Sequence, residues 1–222
     1  MPARALFANL VTFAVITAVL FLAAGTLDWW QAWLWLAAFA LCTLFVTLDV
    51  ARRDPALLAR RMKGGPWAEP ETAQRAIMSA MSVLWLASLA VPGLDRRFGW
   101  TQVPTPLVLL GDMAMLAGYA GIAAVFRANS YTAANVRVES GQRLASDGPY
   151  ALVRHPMYAA ALPTLVGMVL ALGSWWGLTV FAVMIPFLVW RIFDEERVLL
   201  AQLPGYADYC EKVRFRLVPG LW

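Results

Sequence analysis

The chain has 222 residues, 61% hydrophobic and only 14% charged, with 18 Lys/Arg against 14 Asp/Glu for a formal net charge of +4. Soluble domains average about 25% charged residues. The mean hydropathy of +0.62 and repeated apolar runs long enough to cross a bilayer therefore exclude a soluble binding module. The basic residues lie between apolar runs rather than in a cluster with stacking aromatics, which excludes nucleic acid as a partner.

In chain order, apolar segments fall at about 5–25, 29–50, 76–93, 105–127, 156–172 and 174–193. The first has no small-residue cleavage site and leads directly into the second, so it reads as a retained span and not a signal peptide. Gly25, Thr26 and Asp28 turn the first hairpin, and Asp28, Trp29 and Trp30 suit an aqueous interface. Residues 51–75 form a polar linker containing Arg52, Arg53, Arg60, Arg61, Lys63 and Arg75. Pro92 and Gly93 are expected to stop the third helix, leaving 94–104 as a loop with Arg96 and Arg97. Gly111, Ala114 and Gly118 set small residues at helical spacing for close packing.

Gly173 and Ser174 turn the last two apolar segments into a helical hairpin whose halves need not each cross the membrane. The expected fold is an all-α polytopic transmembrane bundle. It divides into N-terminal transmembrane helices (1–127) and a catalytic region (128–222) that includes the hairpin and a cytoplasmic tail. With both termini in the cytoplasm, all of the 18 Lys/Arg except Arg96 and Arg97 fall on the cytoplasmic side or at its edge. The polar chemistry then gathers at 128–158 and 191–222 on that side.

Three features carry chemistry. His155, the only histidine, is followed by Pro156, a residue suited to the first turn of a helix. Arg154 and His155 at a helix N-terminus form an anion site; alternatively, Arg154 snorkels to headgroups and His155 caps the helix. Arg191 precedes the acidic run Asp194-Glu195-Glu196, placed where a helix dipole disfavours anions. That run marks a cationic partner, or else a solvated face with Arg197 as an i,i+3 partner. The tail mixes aromatics and bases, as interfacial segments do. Asp49 and Asp112 lie in or near apolar segments, where ionisable groups are functional candidates, but they form no evident relay. Cys42 and Cys210 belong to no CxxC or metal-spaced group, so neither a disulfide framework nor a metal site is expected.

The stretch from about Asn129 to Trp222 resembles the isoprenylcysteine carboxyl methyltransferase family, which is related to membrane phospholipid methyltransferases. The resemblance is carried by Gly148-Pro149-Tyr150, Arg154-His155-Pro156-Met157-Tyr158, Glu195-Glu196, Tyr206-x-x-Tyr209 and Val213-Arg214. Upstream, Asp54-Pro55-Ala56-Leu57-Leu58-Ala59-Arg60-Arg61 and Gly93-Leu94-Asp95-Arg96-Arg97-Phe98-Gly99-Trp100 are similar to bacterial members, implying a bacterial inner-membrane location.

The resemblance implies S-adenosylmethionine as cofactor, bound without a Rossmann domain, and no GxGxxG follows a strand here. It implies a cofactor site of Tyr150, Arg154, His155, Pro156, Tyr158, Glu195 and Glu196. Catalysis is assigned to Arg191, His155 and Asn129, and acceptor binding to Arg191, Arg214 and Tyr209. The acceptor is a membrane lipid or hydrophobic small molecule, with carboxylate O-methylation favoured over phospholipid or thiol methylation. A small transporter or scaffold is the reading from a different class; it would show repeats or broken helices at midplane.

Overall fold

A computed structural model describes residues 2–65, 69, 71–132, 138 and 141–222. Parts of the two polar stretches predicted at 51–75 and 128–158 lie outside these. The regular elements among the described residues are all helical: α1 (Pro2–Ala24), α2 (Trp30–Arg53), α3 (Pro55–Arg61), α4 (Thr72–Phe98), α5 (Thr105–Ala128), a 3₁₀ turn (Gly148–Ala151), α6 (Pro156–Ala171), α7 (Trp176–Gln202) and α8 (Tyr206–Lys212).

Five of these helices (α1, α2, α4, α5 and α7) are long and apolar enough to cross a membrane, whereas α6 is a shorter apolar helix. At 1.5 Å per residue, the 16 residues of α6 reach only about 24 Å of a hydrocarbon core about 30 Å thick. Large apolar side chains such as Phe7, Leu10, Leu41, Phe45, Val83, Leu110, Met113 and Val183 point outward. Their helices satisfy their own backbone polar groups, so this belt is suited to lipid. The interior is filled by Ile16, Leu20, Trp29, Trp35, Leu36, Leu89, Met115, Met168, Val169 and Leu172.

Two expectations are corrected. Pro92 and Gly93 do not stop the third helix, which runs on to Phe98 and ends at Gly99 in the left-handed region (φ +64°). Transmembrane helices tolerate proline where neighbours pack against it, and here Gly93 presses on α1: a Cβ on it would stand 2.7 Å from the Ala23 Cβ and 2.9 Å from the Leu20 carbonyl. Trp29 is not an interface anchor but a core residue, 2% exposed, edge-on to Phe21; Trp30 is exposed.

The small-residue stripe on α5 packs as expected. A Cβ on Gly111 would meet the backbone of Ala171 and Gly167 at 2.5 and 2.7 Å, and one on Gly118 would collide with the Thr164 hydroxyl and lie 2.7 Å from the Ala160 carbonyl. The α5–α6 pair is therefore the tightest in the bundle, while α6 touches α7 far less. Space is left between α6, α7 and α4. The far end of the bundle is pinned by Asp95, which accepts from Thr101 N (2.7 Å), Thr101 Oγ1 (2.5 Å) and Ser174 Oγ (2.5 Å). That clasp ties the α4–α5 turn to the predicted turn at Gly173-Ser174, so α6 and α7 run from it to the opposite, basic end.

Candidate active site

The 3₁₀ turn at 148–151 leads into the non-helical segment Val153-Arg154-His155. His155 has φ −120° and ψ 63° as the N-cap of α6, consistent with the bias of a residue preceding proline away from helix. Pro156 occupies the first turn and no side chain caps the helix. The tail seats against this segment: Arg154 N donates to the Phe215 carbonyl and His155 N to the Arg216 carbonyl, both at 2.9 Å. Below it, Tyr209 of α8 donates to the Tyr150 carbonyl at 2.7 Å, and Asn129 Nδ2 donates to the Tyr150 hydroxyl at 3.0 Å. Burial pushes the phenols of Tyr150, Tyr206 and Tyr209 above the ordinary tyrosine range.

Consecutive residues on a helix point about 100° apart, so the acids of α7 face three different neighbours. Asp194 turns to α4, where it accepts from Gln74 Nε2, and it also takes Arg197 at 2.7 Å as the expected i,i+3 partner. Glu195 turns to α6 and accepts from the Tyr158 hydroxyl at 2.7 Å. Glu196 turns to the α6 start and the tail. Its Oε1 lies 3.0 Å from Arg154 Nε and 3.2 Å from His155 Nε2, and its Oε2 lies 3.0 Å from Arg216 Nε. Asp194 thus has the expected i,i+3 partner but is buried and not on a solvated face.

Arg191 is buried. Its Nε donates to the Tyr158 hydroxyl at 3.1 Å, its Nη1 to Gln74 Oε1, and its Nη2 lies 2.9 Å from Glu69 Oε1. Tyr158 therefore links Arg191 to Glu195, and His155 stacks beside it with ring centroids 5.8 Å apart. The second ring nitrogen of His155, Nδ1, stands 4.0 Å from Glu195.

These groups border a cavity of about 370 Å³. Asn129, Tyr150, Arg154, His155, Pro156, Tyr158, Arg191, Glu195 and Tyr209 all line it. Two predicted residues do not. Glu196 faces away from the cavity into its cluster of cations, so it holds the wall together from behind. Arg214 is exposed on the tail and makes no part of the lining; Arg216 supplies the tail's contact instead. The cavity continues from the polar residues into an apolar cleft between α4, α6 and α7, with Met78, Met81, Leu162, Leu165, Phe181 and Met184.

Gln74, Glu69, Arg61 and Tyr206 are not among the predicted site residues. Gln74 is 1% exposed and bridges Arg191 to Asp194. The hydroxyl of Tyr206 is buried with no hydrogen-bond partner among the described residues, in the cavity wall. Its Tyr-x-x-Tyr motif was the one signal that could have marked it. Asp49 is paired with Arg53 at 2.6 Å and Arg127 at 3.1 Å and takes no part in the site. Among the described residues no group of three or more His, Cys, Asp or Glu could hold a metal ion.

Residues 107–204 match the family model of phospholipid methyltransferases. That family is related to the isoprenylcysteine carboxyl methyltransferases, so the resemblance read from the sequence holds at family level. The match runs from α5 through α7 and includes every predicted site residue except Tyr209 and Arg214. It leaves out α1 to α4 and the tail, so Gln74, Glu69, Arg61 and Arg216 come from outside it. No individual curated protein matches the chain.

Proposed function

We propose that this chain is an S-adenosylmethionine-dependent methyltransferase of the bacterial inner membrane. Its site faces the cytoplasm, and it methylates a lipid-like or hydrophobic acceptor, carboxylate oxygen before phospholipid nitrogen or thiol sulfur. The observation that carries this reading is the shape of one cavity: polar and hydrogen-bonding beside His155, Tyr158, Arg191 and Glu195, apolar between α4, α6 and α7. A polar cofactor and an acceptor with an apolar tail need such a junction of two phases. The family match supports methyl transfer.

The residues present fit the cofactor. The buried Tyr206 hydroxyl has a hydrogen bond to give among residues that leave it without a partner, and Glu195 is the acidic side chain among the described lining residues. Glu195 would bind the cofactor's ammonium or ribose hydroxyls by charge-assisted hydrogen bonds, and the uncapped start of α6 would favour its carboxylate. When bound, the cofactor supplies an electrophilic methyl group.

The protein's own work is then placement. Arg191, fixed by Glu69, Gln74 and Tyr158, would hold the acceptor's carboxylate at the polar end while the apolar cleft takes the tail. A carboxylate or thiolate arrives deprotonated, so orientation and exclusion of water suffice. For an amine acceptor, His155 Nδ1 is the group placed to take a proton, because Glu196 engages Nε2. Asn129 would act by fixing the Tyr150 hydroxyl in the wall.

The test is a labelled-methyl assay with purified full-length protein and host lipid extract, followed by mass identification of the product. Methyl transfer to an acidic lipid is the expected result. Absence of transfer, together with absence of S-adenosylhomocysteine binding by calorimetry, would rule the reading out; flux of solute in liposomes would then favour a transporter.

A further inference from the structure

The arginines that border the cavity are not equivalent. Arg154 faces Glu196 at 3.0 Å and Arg191 faces Glu69 at 2.9 Å, so each has a carboxylate beside it. Arg61 and Arg143 also line the cavity, and among the described residues no carboxylate lies within ion-pair distance of either; Arg143 is exposed to solvent, whereas Arg61 is not. The Arg61 guanidinium sits 4.8 Å over the Phe126 ring, and its Nη1 reaches the Thr132 carbonyl only at 3.4 Å. A guanidinium has five N–H donors, and these contacts use little of that capacity. The cation is half-buried against an aromatic face, where an unmatched charge is costly.

Its placement is firm. α3 is capped by Asp54, which accepts from Leu57 N at 2.8 Å. Leu57 and Leu58 are buried beside Ala5 and Val50. The neighbouring Arg60 already anchors the chain after α5, donating to the Ser130 carbonyl at 2.6 Å. Holding that segment therefore does not need Arg61.

We propose that Arg61, on a helix outside the family-matched segment, binds the anionic group of the ligand that occupies this cavity. The ligand class is an amphiphile whose carboxylate head is shared between Arg61 and Arg191, with its alkyl tail in the cleft of Met78, Met81, Phe181 and Met184. The same chemistry could be met by the carboxylate of the cofactor, and the experiment separates the two. The proposal rests on the methyltransferase reading only for that second source.

Full-length protein in nanodiscs is titrated with a long-chain alkyl carboxylate, with the alcohol of equal chain length, and separately with S-adenosylhomocysteine. Wild type should bind the carboxylate about tenfold or more tighter than the alcohol, the contribution of one charge-assisted hydrogen bond. Arg61→Gln should reduce that preference at least severalfold and leave the alcohol's affinity unchanged, Arg61→Lys should retain more of it, and Lys63→Gln, an exposed neighbour, should keep it in full. If Arg61→Gln instead weakens only S-adenosylhomocysteine, the proposal stands with the cofactor as the source of the anion. If Arg61→Gln alters neither, or if Lys63→Gln has the same effect, the proposal is overturned. Wild type that binds the carboxylate but no S-adenosylhomocysteine would refute the methyltransferase reading and leave the Arg61 assignment intact.

Discussion

One carboxylate oxygen of Glu196 lies 3.0 Å from Nε of Arg154, and each side chain is only 9% exposed. The same carboxylate meets His155 and Arg216, so a single acid joins α7, the start of α6 and the tail. Removing one partner of a buried pair leaves the others unmatched, at about 3–5 kcal/mol. Glu196→Ala is expected to lower the thermal midpoint in detergent strongly. Arg154→Ala/Glu196→Ala together should cost less than the sum of the single changes. Additive losses, or a Glu196→Ala protein that melts like wild type, would contradict the role given to this carboxylate.

Glu195, one residue earlier, should behave differently. It faces the cavity and its side chain is 26% exposed. Glu195→Gln is expected to keep the midpoint near wild type while weakening S-adenosylhomocysteine by about tenfold or more, the scale of a hydrogen bond to a charged group. Tyr158→Phe breaks the link from Arg191 to Glu195 and should reduce methyl transfer by a similar factor. Calorimetry and initial rates on the same preparations distinguish these adjacent acids; equal losses of stability for both would refute the distinction.

How far the sequence could reveal this site depends on which residues carry a local signal. The hairpin turn at Gly173-Ser174, the close stripe on α5 and the gathering of Arg154, His155, Tyr158, Arg191 and Glu195 follow from spacing, turn chemistry and motif resemblance. The fan of contacts from Asp194 to Glu196 follows from helix geometry, but its targets do not. Gln74 is a neutral polar residue at the start of a helix, and from sequence it is indistinguishable from the linker before it. Glu69 and Arg61 are ordinary linker charges until the chain returns them to α6 and α7. Pro92 and Gly93 carry a strong stop signal that packing against α1 overrides, since the proline's missing hydrogen bond is tolerated where a neighbouring helix closes on it.

The tail offers a sharp contrast between two arginines separated by one residue. Arg216 pairs with Glu196 at 3.0 Å and its guanidinium lies 5.0 Å over the Phe193 ring; Arg214 is exposed. Arg216→Ala should lower both the thermal midpoint and S-adenosylhomocysteine affinity. Arg214→Ala should leave both within error of wild type, as solvated surface changes usually do. The reverse order of effects would show that the tail is seated differently.

Tyr206 and Tyr209 on α8 lie among residues that exclude water, and burial raises both phenols. An unfolded tyrosine ionises near pH 10, to within about a unit. Above that pH the unfolded state loses protons that the folded state keeps, so stability is complete below the unfolded value and falls as pH rises past it. Absorbance titration at alkaline pH should show these tyrosines ionising only with unfolding. Tyr206→Phe, which removes a hydroxyl with no partner among the described residues, should lessen that fall. A single titration of all tyrosines in the ordinary range, with the fold intact, would contradict their burial.

The contact between α5 and α6 decides where the site begins. Gly118 faces Thr164 and the Ala160 carbonyl, and Gly167 faces Met115 N, 2.8 Å from where a Cβ would stand. Backbone atoms cannot swing aside as a flexible side chain does, so Gly167→Ala and Gly118→Ala must push the helices apart. Overpacking of this kind costs about 1–3 kcal/mol. Because α6 opens at His155-Pro156 and α5 closes beside Asn129, the displacement should also loosen the Asn129–Tyr150 bond and the cavity wall above it. The expected result is lower thermal stability and weaker S-adenosylhomocysteine binding. Gly220→Ala, at a site open on all sides although its φ of +81° strains any side chain, should cost stability without affecting the ligand. Gly118→Ala that lowers stability but binds ligand like wild type would show that the helix contact does not set the geometry of the site.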